Sequence, residues 1–466
     1  KFKLPPVTLI NQDLTITSEN GAALTTITCA SNDTSIITLN GTASNSTLSL
    51  SLINLTFSDC VSEEVDGVIV ELLSKGKLSV EGVAFERNEG RTGSCISIHG
   101  ADPKESELII KNSKFINNTA SSVAAVRLWA TKYSIDDSIF TGNSASVKGG
   151  ALYVGEYATG TINFSTFSKN VANDYGGAIS VHAGTCIIYG SHFEENSASY
   201  KGKSYGGAIS AVAGDLRLKN TTLLSNHAFT GGGIYCARSA CACFEQTYLS
   251  KNTALNGGGI FASEAIVNTT TTMFVENIVS SNGGALACII QSKCNISSTK
   301  IINNTAIRGG GMSIESSSEL YLHNNNVFDG NVVTRLGGGI FCEQSHIEID
   351  STEMKNNRHS SSNDVSDVEC NIALIGPFGA CEFSGSQAHL YSKTCTSKYH
   401  FNHEQWIVLA SCIAGLLFLG IFGCLMICVW RHRDKTRRAA DTTDTQQNMW
   451  AAVENDSTDE DVKLEE

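Results

Sequence analysis

Short stretches in which apolar and polar residues alternate fill most of the chain from Lys1 to Asn357, and they recur in a fixed order. One stretch follows a glycine pair, as in Ile179-Ser180-Val181, with counterparts at Ile209/Ala211, Ile234/Cys236, Ile260/Ala262, Leu286/Cys288, Met312/Ile314 and Ile340/Cys342. Two apolar residues separated by one point to the same face of a strand. A second stretch lies seven and five places before a recurring aromatic or aliphatic residue. It gives Leu78/Val80, Leu108/Ile110, Cys186/Ile188, Leu216/Leu218, Val267/Thr269, Cys294/Ile296 and Ile347/Ile349. The recurring residue itself has the opposite parity, so a bend is expected between it and the second strand.

That recurring residue stands three places before an asparagine. Phe85, Phe115, Phe140, Phe167, Phe193, Phe274 and Phe328 precede Asn88, Asn118, Asn143, Asn170, Asn196, Asn277 and Asn331 in turn, with degenerate copies at Asn226, Asn252, Asn304 and Asn357. INLTFSDC is a divergent copy with Phe57 and Cys60 in the two slots. Successive asparagines are 30, 25, 27, 26, 30, 26, 25, 27, 27 and 26 residues apart. A fixed period in this range means units that stack on one another. Three short faces per turn describe a parallel β-helix of about a dozen coils, each pairing with the next at ~4.8 Å. Like then stacks on like. The phenylalanines form an internal ladder, and the asparagines form a corner ladder, where a short amide tolerates left-handed backbone and bonds to main chain. The pairs Gly149-Gly150, Gly176-Gly177 and Gly206-Gly207 suit a turn needing positive φ or close approach between coils. Repetition of this kind reports stacking, so specificity is expected in the residues that do not repeat. Asn324–Asn326 and Tyr200–Ser204 lengthen single turns and are reasonable places for binding loops.

The repeat is expected to end at residue 358. Residues 359–405 form a cysteine-containing cap and membrane-proximal segment. Trp406–Trp430 then runs for 25 positions without a charged residue, enough to cross a bilayer as a helix. The basic block Arg431–Arg438 follows and belongs on the cytoplasmic side. This orientation predicts a single-pass type I plasma-membrane protein, with residues 1–405 extracellular and 431–466 cytoplasmic. Membrane lipid is engaged through residues 406–438. The end of the tail, acidic with little apolar content, is expected to be disordered. The chain does not begin with Met and Lys1–Pro6 lacks the apolar core of a signal peptide, so either a signal has been removed or this is a fragment.

The copies FSKNVANDYGGAI, FEENSA with GGAI, and the GGGI variants at Gly231, Gly257 and Gly337 resemble the polymorphic outer-membrane protein (Pmp) repeat. The resemblance covers about Phe85 to Asn357. It implies an all-β, right-handed parallel β-helix, a pectin-lyase-like solenoid, here with one transmembrane α-helix. Bacterial members are autotransported adhesins that end in an outer-membrane β-barrel. This chain ends instead in one apolar helix and a basic-then-acidic tail, as Pmp-like surface proteins of single-celled eukaryotic parasites do. The resemblance therefore implies adhesion to a host-cell, matrix or glycan ligand. It transfers no binding residue, because the shared residues are scaffold, and the ligand-binding residues are unknown. A structural or antigenically variable coat protein without a specific receptor is the alternative, and a membrane-tethered polysaccharide lyase or hydrolase the second alternative.

Charge and chemistry narrow this picture. The net charge of −13 excludes a nucleic-acid partner, which needs a basic surface. Of the 16 cysteines, Cys186, Cys236, Cys288, Cys294 and Cys342 occupy inward slots and are expected to be buried free thiols. Cys241, Cys243, Cys370, Cys381 and Cys395 are better disulfide candidates in an external compartment. Cys424 and Cys428, one turn apart near the cytoplasmic end of the span, are palmitoylation candidates. Ala410/Ala414 and Ser411/Gly415 are small-residue pairs suited to helix pairing. The sequon asparagines before the span are Asn32, Asn40, Asn45, Asn54, Asn117, Asn163, Asn220, Asn268, Asn295 and Asn303. Asp136-Asp137 and His99-Gly100 are the nearest fragments to the clustered acids of a β-helix enzyme, and both lack supporting acids at equivalent slots. No catalytic residue, metal site or cofactor is therefore expected.

Overall fold

A computed structural model of the chain describes residues 2–387, apart from 10–12, 20, 23–24, 30–34, 41–47, 63, 65, 200–201, 239, 362–366 and 371–380. The span 406–430 with Cys424 and Cys428, the tail, Asn32, Asn45, Cys395 and the side chains of Cys241, Cys243 and Cys370 lie outside the described residues. Among the described residues every regular element is a strand, and no helix is long and apolar enough to cross a membrane.

The coil beginning at Ile179 shows how the alternation becomes a turn of solenoid. Ile179–His182 is the strand after the glycine pair, Thr185–Tyr189 the second strand and His192–Glu194 the strand carrying the phenylalanine. Each stacks in parallel on its counterparts, giving three fourteen-stranded sheets. We call them the glycine-side sheet, the back sheet and the phenylalanine sheet. The strand after the asparagine, here Ser197–Ala198, adds a short fourth side that forms two five-stranded sheets. The sheets continue past residue 358. Val368–Cys370 pairs with the glycine-side strand Ile340–Glu343, and Glu382–Ser384 pairs with the back-sheet strand His346–Ile349.

The phenylalanine row keeps its register from coil to coil, whereas the back sheet carries a bulge between Cys241 and Phe244, where the pairing of Ala240–Glu245 with Ile266–Thr270 shifts. Phe57, Phe85, Phe115, Phe140, Phe167 and Phe193 stack with centroids 4.5–5.6 Å apart. Leu223, Leu249, Phe274, Ile301 and Phe328 continue the row, and all of these are fully buried. Burial of one such side chain stabilises by about 1.5–3 kcal/mol, and a stacked ring pair adds roughly 0.5–1.5.

The asparagine ladder runs unbroken from coil to coil, through Asn88, Asn118, Asn143, Asn170, Asn196, Asn226, Asn252, Asn277, Asn304, Asn331 and Asn357. The conformational reason expected for it does not hold. Asn118, Asn277, Asn331 and the other members keep negative φ, and the residue before each takes the left-handed turn, as at Asn117, Glu276 and Asn303. Gly330, before Asn331, does the same at φ +66. The ladder asparagines are buried polar residues that serve as a hydrogen-bonding spine. Asn196 shows the pattern. Its Oδ1 accepts from the Asn170 backbone N–H and the Asn170 side-chain amide, both at 3.0 Å. Its Nδ2 donates to the Phe167 carbonyl at 2.9 Å and to Asn226 Oδ1 at 3.0 Å. Two donors and two acceptor sites are thus all used, which is everything an amide side chain offers. Asn118, Asn277 and Asn331 repeat it, donating to the Phe85, Leu249 and Ile301 carbonyls at 2.9–3.0 Å. Asp cannot donate and Ser has one hydrogen, so Asn is the residue that fits.

A second corner carries a spine of hydroxyls. The Ser138, Ser165 and Ser191 Oγ atoms each accept the backbone N–H of the equivalent residue one coil earlier, at 3.1–3.2 Å. Asn326 takes the same role by accepting from Thr299 N–H, so the extra residues of its turn do not make a protruding binding loop of that side chain.

The glycine pair divides its two expected uses between its members. Gly176 has φ +63, and Gly177 lies so close to the next coil that a Cβ would overlap the Gly207 carbonyl oxygen. Ala124 occupies the first slot in its coil at φ 46, so that slot tolerates a Cβ at a conformational cost.

Four of the five cysteines expected to be free are oxidised. Cys288 bridges Cys294, Cys342 bridges Cys381, and Cys236 is also disulfide-bonded. The expectation considered pairing along the stack, where Cys236 and Cys288 lie two coils apart. It missed pairing across a corner, where inward residues of adjacent faces of one coil converge. Cys288 and Cys294 meet in this way, with Cα atoms 6.6 Å apart. Cys186 and Cys95 are buried free thiols, and burial pushes the Cys186 thiol up to about 12. Cys60 replaces the ladder asparagine in its coil and bridges to Cys29, and its N–H donates to Asn88 Oδ1.

Candidate functional site

Every repeat residue singled out in the sequence faces the interior or a corner, which leaves the outer faces to meet a partner. On the glycine-side sheet, alternation alone would leave the outward positions in water. Ser97, Tyr153, Ser180, Ser210, Phe261 and Ser313 are nevertheless buried. The cover comes from the residue just before the left-handed glycine of each turn. Asp66, Lys148, Tyr175, Tyr205, Asn282 and Arg308 belong to this row, whose members bridge coil to coil. Its side chains lie over the sheet and make a strip of residues that do not repeat.

At the N-terminal end the strip is charged. Asp66 Oδ2 lies 3.1 Å from Arg127 Nη1 and 3.4 Å from His99 Nε2, and Arg91 Nε reaches Asp66 Oδ1 at 3.2 Å. Arg127 Nη1 also lies 2.7 Å from His99 Nε2. Burial works against the Asp66 charge, but the contacts with His99, Arg127 and Arg91 outweigh it and hold the carboxyl well below the usual carboxylate range. Burial pushes Glu71, which faces the same group, in the opposite direction. His99 thus has two acidic neighbours in the preceding coil, Asp66 and Glu71, although the slots equivalent to its own hold Leu73 and Trp129. Asp66 was missed because it lies in the coil before His99 and outside the strand, where no repeat position marks it. Asp136 is otherwise occupied, accepting from Asn163 Nδ2 at 2.6 Å and Ser134 Oγ at 2.8 Å.

The middle of the strip is aromatic. Tyr175 and Tyr205 stack at 4.9 Å and Tyr235 and Phe261 at 5.7 Å, while the Tyr205 and Tyr235 rings, 4.7 Å apart, are tilted by 50°. Lys148 Nζ stands 5.5 Å from the Tyr175 ring centroid. Burial first, and then the neighbouring Tyr175 and Tyr205, raise the Tyr235 phenol far above its ordinary value. The C-terminal end is polar: Arg308 lies over the Phe341 ring at 5.0 Å, Arg308 Nε donates to Asn282 Oδ1 at 3.1 Å, and Asn282 Nδ2 donates to Glu315 Oε1 at 2.9 Å. The back sheet offers a shallow depression of about 500 Å³ instead, lined by Glu107, Lys111, Lys132, Tyr133, Asp136 and Gly160 among others.

The described sequon asparagines fall into three settings. Asn54, Asn117, Asn220 and Asn303 are exposed at left-handed corners, with φ of 52–55°. Asn163, Asn268 and Asn295 sit half-buried on back-sheet strands, where Asn163 donates to Asp136 and Asn295 to Asn268. Asn40 ends a glycine-side strand and is half-buried.

Residues 137–155 and 164–182 match the Chlamydia polymorphic membrane protein repeat. The two adjacent matches contain Phe140, Asn143 and Gly149-Gly150, then Phe167, Asn170 and Gly176-Gly177. They bear out the likeness to the Pmp repeat at these positions. No curated protein and no solved structure matches the chain.

Proposed function

We propose that this chain, whose repeat is like that of a bacterial membrane protein, is a single-pass cell-surface glycoprotein serving adhesion or recognition. Its β-helix, right-handed as parallel crossovers almost always are, is carried outside the cell. The apolar segment 406–430 anchors it, and Arg431–Arg438 meets anionic headgroups on the cytoplasmic side. The observation that carries this reading is the strip over the glycine-side sheet, where charged, aromatic and amide side chains succeed one another along the coils without repeating. A rigid ladder of strands holding a varied outer row suits many weak contacts made at once. The ligand is a host-cell, matrix or glycan surface. Beads coated with residues 1–405 should bind cells, matrix or a glycan array saturably, and the double variant Tyr175→Ser/Tyr205→Ser should bind less. Absence of saturable binding to all three would leave a coat protein as the better reading.

One observation favours a second reading. Asp66 and Glu71 are pushed in opposite directions within one outward cluster, as the acid and base of a polysaccharide hydrolase are. Against it, Asp66 is engaged by two guanidinium groups and an imidazole, which suits a positioning network better than a free base. Release of oligosaccharides from a polysaccharide panel, lost in Glu71→Gln, would support the hydrolase.

A further inference from the structure

We propose that His323, Glu348 and Asp350 bind a divalent transition-metal ion of the zinc class on the outer face of the back sheet. His323 closes the strand Glu319–His323, and register pairs Leu322 with Ile349, which sets His323 opposite Asp350. Glu348 and Asp350 are two residues apart and share the outward face. One donor atom from each of the three lies within 4.8 Å of the others.

The contact between His323 Nδ1 and Asp350 Oδ2 is the telling one. They lie 3.6 Å apart, too far for a hydrogen bond. Two donors held ~2.1 Å from one tetrahedral ion stand roughly 3.4 Å apart, so a small side-chain movement completes ligation. The other Asp350 oxygen accepts the Ser386 N–H, which fixes the carboxylate in the way outer partners fix metal ligands. One imidazole and two carboxylates suit zinc, cobalt or nickel, whereas calcium takes six to eight oxygens. The side chains of His323 and Asp350 are 39% and 33% exposed, so a remaining coordination position opens to water or to a donor group on a partner.

The test uses the full 466-residue chain, stripped of metal in detergent and titrated with cobalt(II) by visible absorption and with zinc(II) by calorimetry. One equivalent is expected to bind. His323→Ala and the shape-conserving Glu348→Gln should each weaken it roughly tenfold or more, while His192→Ala, at an unrelated imidazole–carboxylate pair, leaves it unchanged. Unfolding curves of the metal-free variants matching the parent separate lost ligation from lost folding. Absence of binding, or an equivalent bound as tightly by Glu348→Gln as by the parent, overturns the proposal.

Discussion

Asn196→Ala removes one rung from the middle of the buried amide spine, and its cost follows from the partners left behind. The Asn170 backbone N–H and the Asn170 Nδ2 each lose the 3.0 Å bond to Asn196 Oδ1. The Phe167 carbonyl loses a donor at 2.9 Å, while Asn226 Oδ1 keeps the Asn196 backbone N–H. A buried group left unsatisfied costs about 1–3 kcal/mol. Two orphaned donors and a weakened carbonyl therefore add up to roughly 3–6 kcal/mol, a large part of the ~5–15 kcal/mol that holds a typical domain together. Asn88→Ala should cost less. Its Oδ1 accepts the Cys60 N–H, and no ladder amide stands below it, because Cys60 occupies that slot. Urea unfolding of the two variants, followed by far-UV circular dichroism, measures the difference. Lys300→Ala, at an exposed strand position, is the control and should stay within ~0.5 kcal/mol of the parent. Because stacked repeats can open locally, amide exchange should rise first in the coils around Asn170 and Asn226. Equal small losses, under ~1 kcal/mol, for Asn196→Ala and Asn88→Ala would refute the idea that shared amide bonds hold the corner.

Cys342→Ser opens a bridge spanning 39 residues and should cost about 4 kcal/mol by loop entropy, against ~2 for Cys288→Ser, whose loop spans 6. Peptide mapping without reductant must first recover both pairs, and free thiols at Cys288 and Cys294 would contradict the fold of that corner. Acid should expose the Asp66 cluster. A depressed folded pKa means that its stabilisation is complete above the unfolded value near ~3.9 and is lost as pH falls through the folded value. Asp66→Asn should thus lower Tm at pH 7 and flatten its acid decline, and a decline parallel to the parent's would exclude this role. Glycopeptide mass spectrometry should find Asn117, Asn220 and Asn303 more fully occupied than Asn163 and Asn295, whose amides already donate to neighbours. The reverse order would show that exposure in the folded coil does not govern modification.

Much of the candidate strip was illegible in the sequence for a specific reason. Tyr175, Tyr205 and Arg308 sit before glycine pairs, and Asp66 before the single Gly67, at positions with no common residue type, so periodicity assigns them nothing. Their importance comes from folding over the glycine-side sheet, which only the turn geometry around Gly176 and its equivalents produces. The disulfide between Cys288 and Cys294 was hidden likewise, since a sequence displays spacing along the chain and not the convergence of two faces at a corner. Tyr133 is another case: it occupies an inward row, and its hydroxyl donates to the Thr185 carbonyl two coils on at 3.0 Å. That reach needs Gly160 in the row between them, where a Cβ would meet the Tyr133 ring.

The period, the parallel stacking, the inward faces and the register of the phenylalanine and asparagine rows were legible along the chain, because a repeated burial pattern aligns coil on coil; the bulge between Cys241 and Phe244 was not. The sequence also named the asparagine corner and the bonding of its amides to main chain, with one of its two reasons, the left-handed backbone, misplaced. The left-handed residue is the one before it, and the asparagine is there because an amide alone can give two hydrogen bonds and take two along the stack. What the tertiary structure decided is everything that depends on two faces meeting: which outward residues are covered, which cysteines bridge, and which carboxylates share a field. Those contacts join positions of unlike slot, and no period along one chain encodes them.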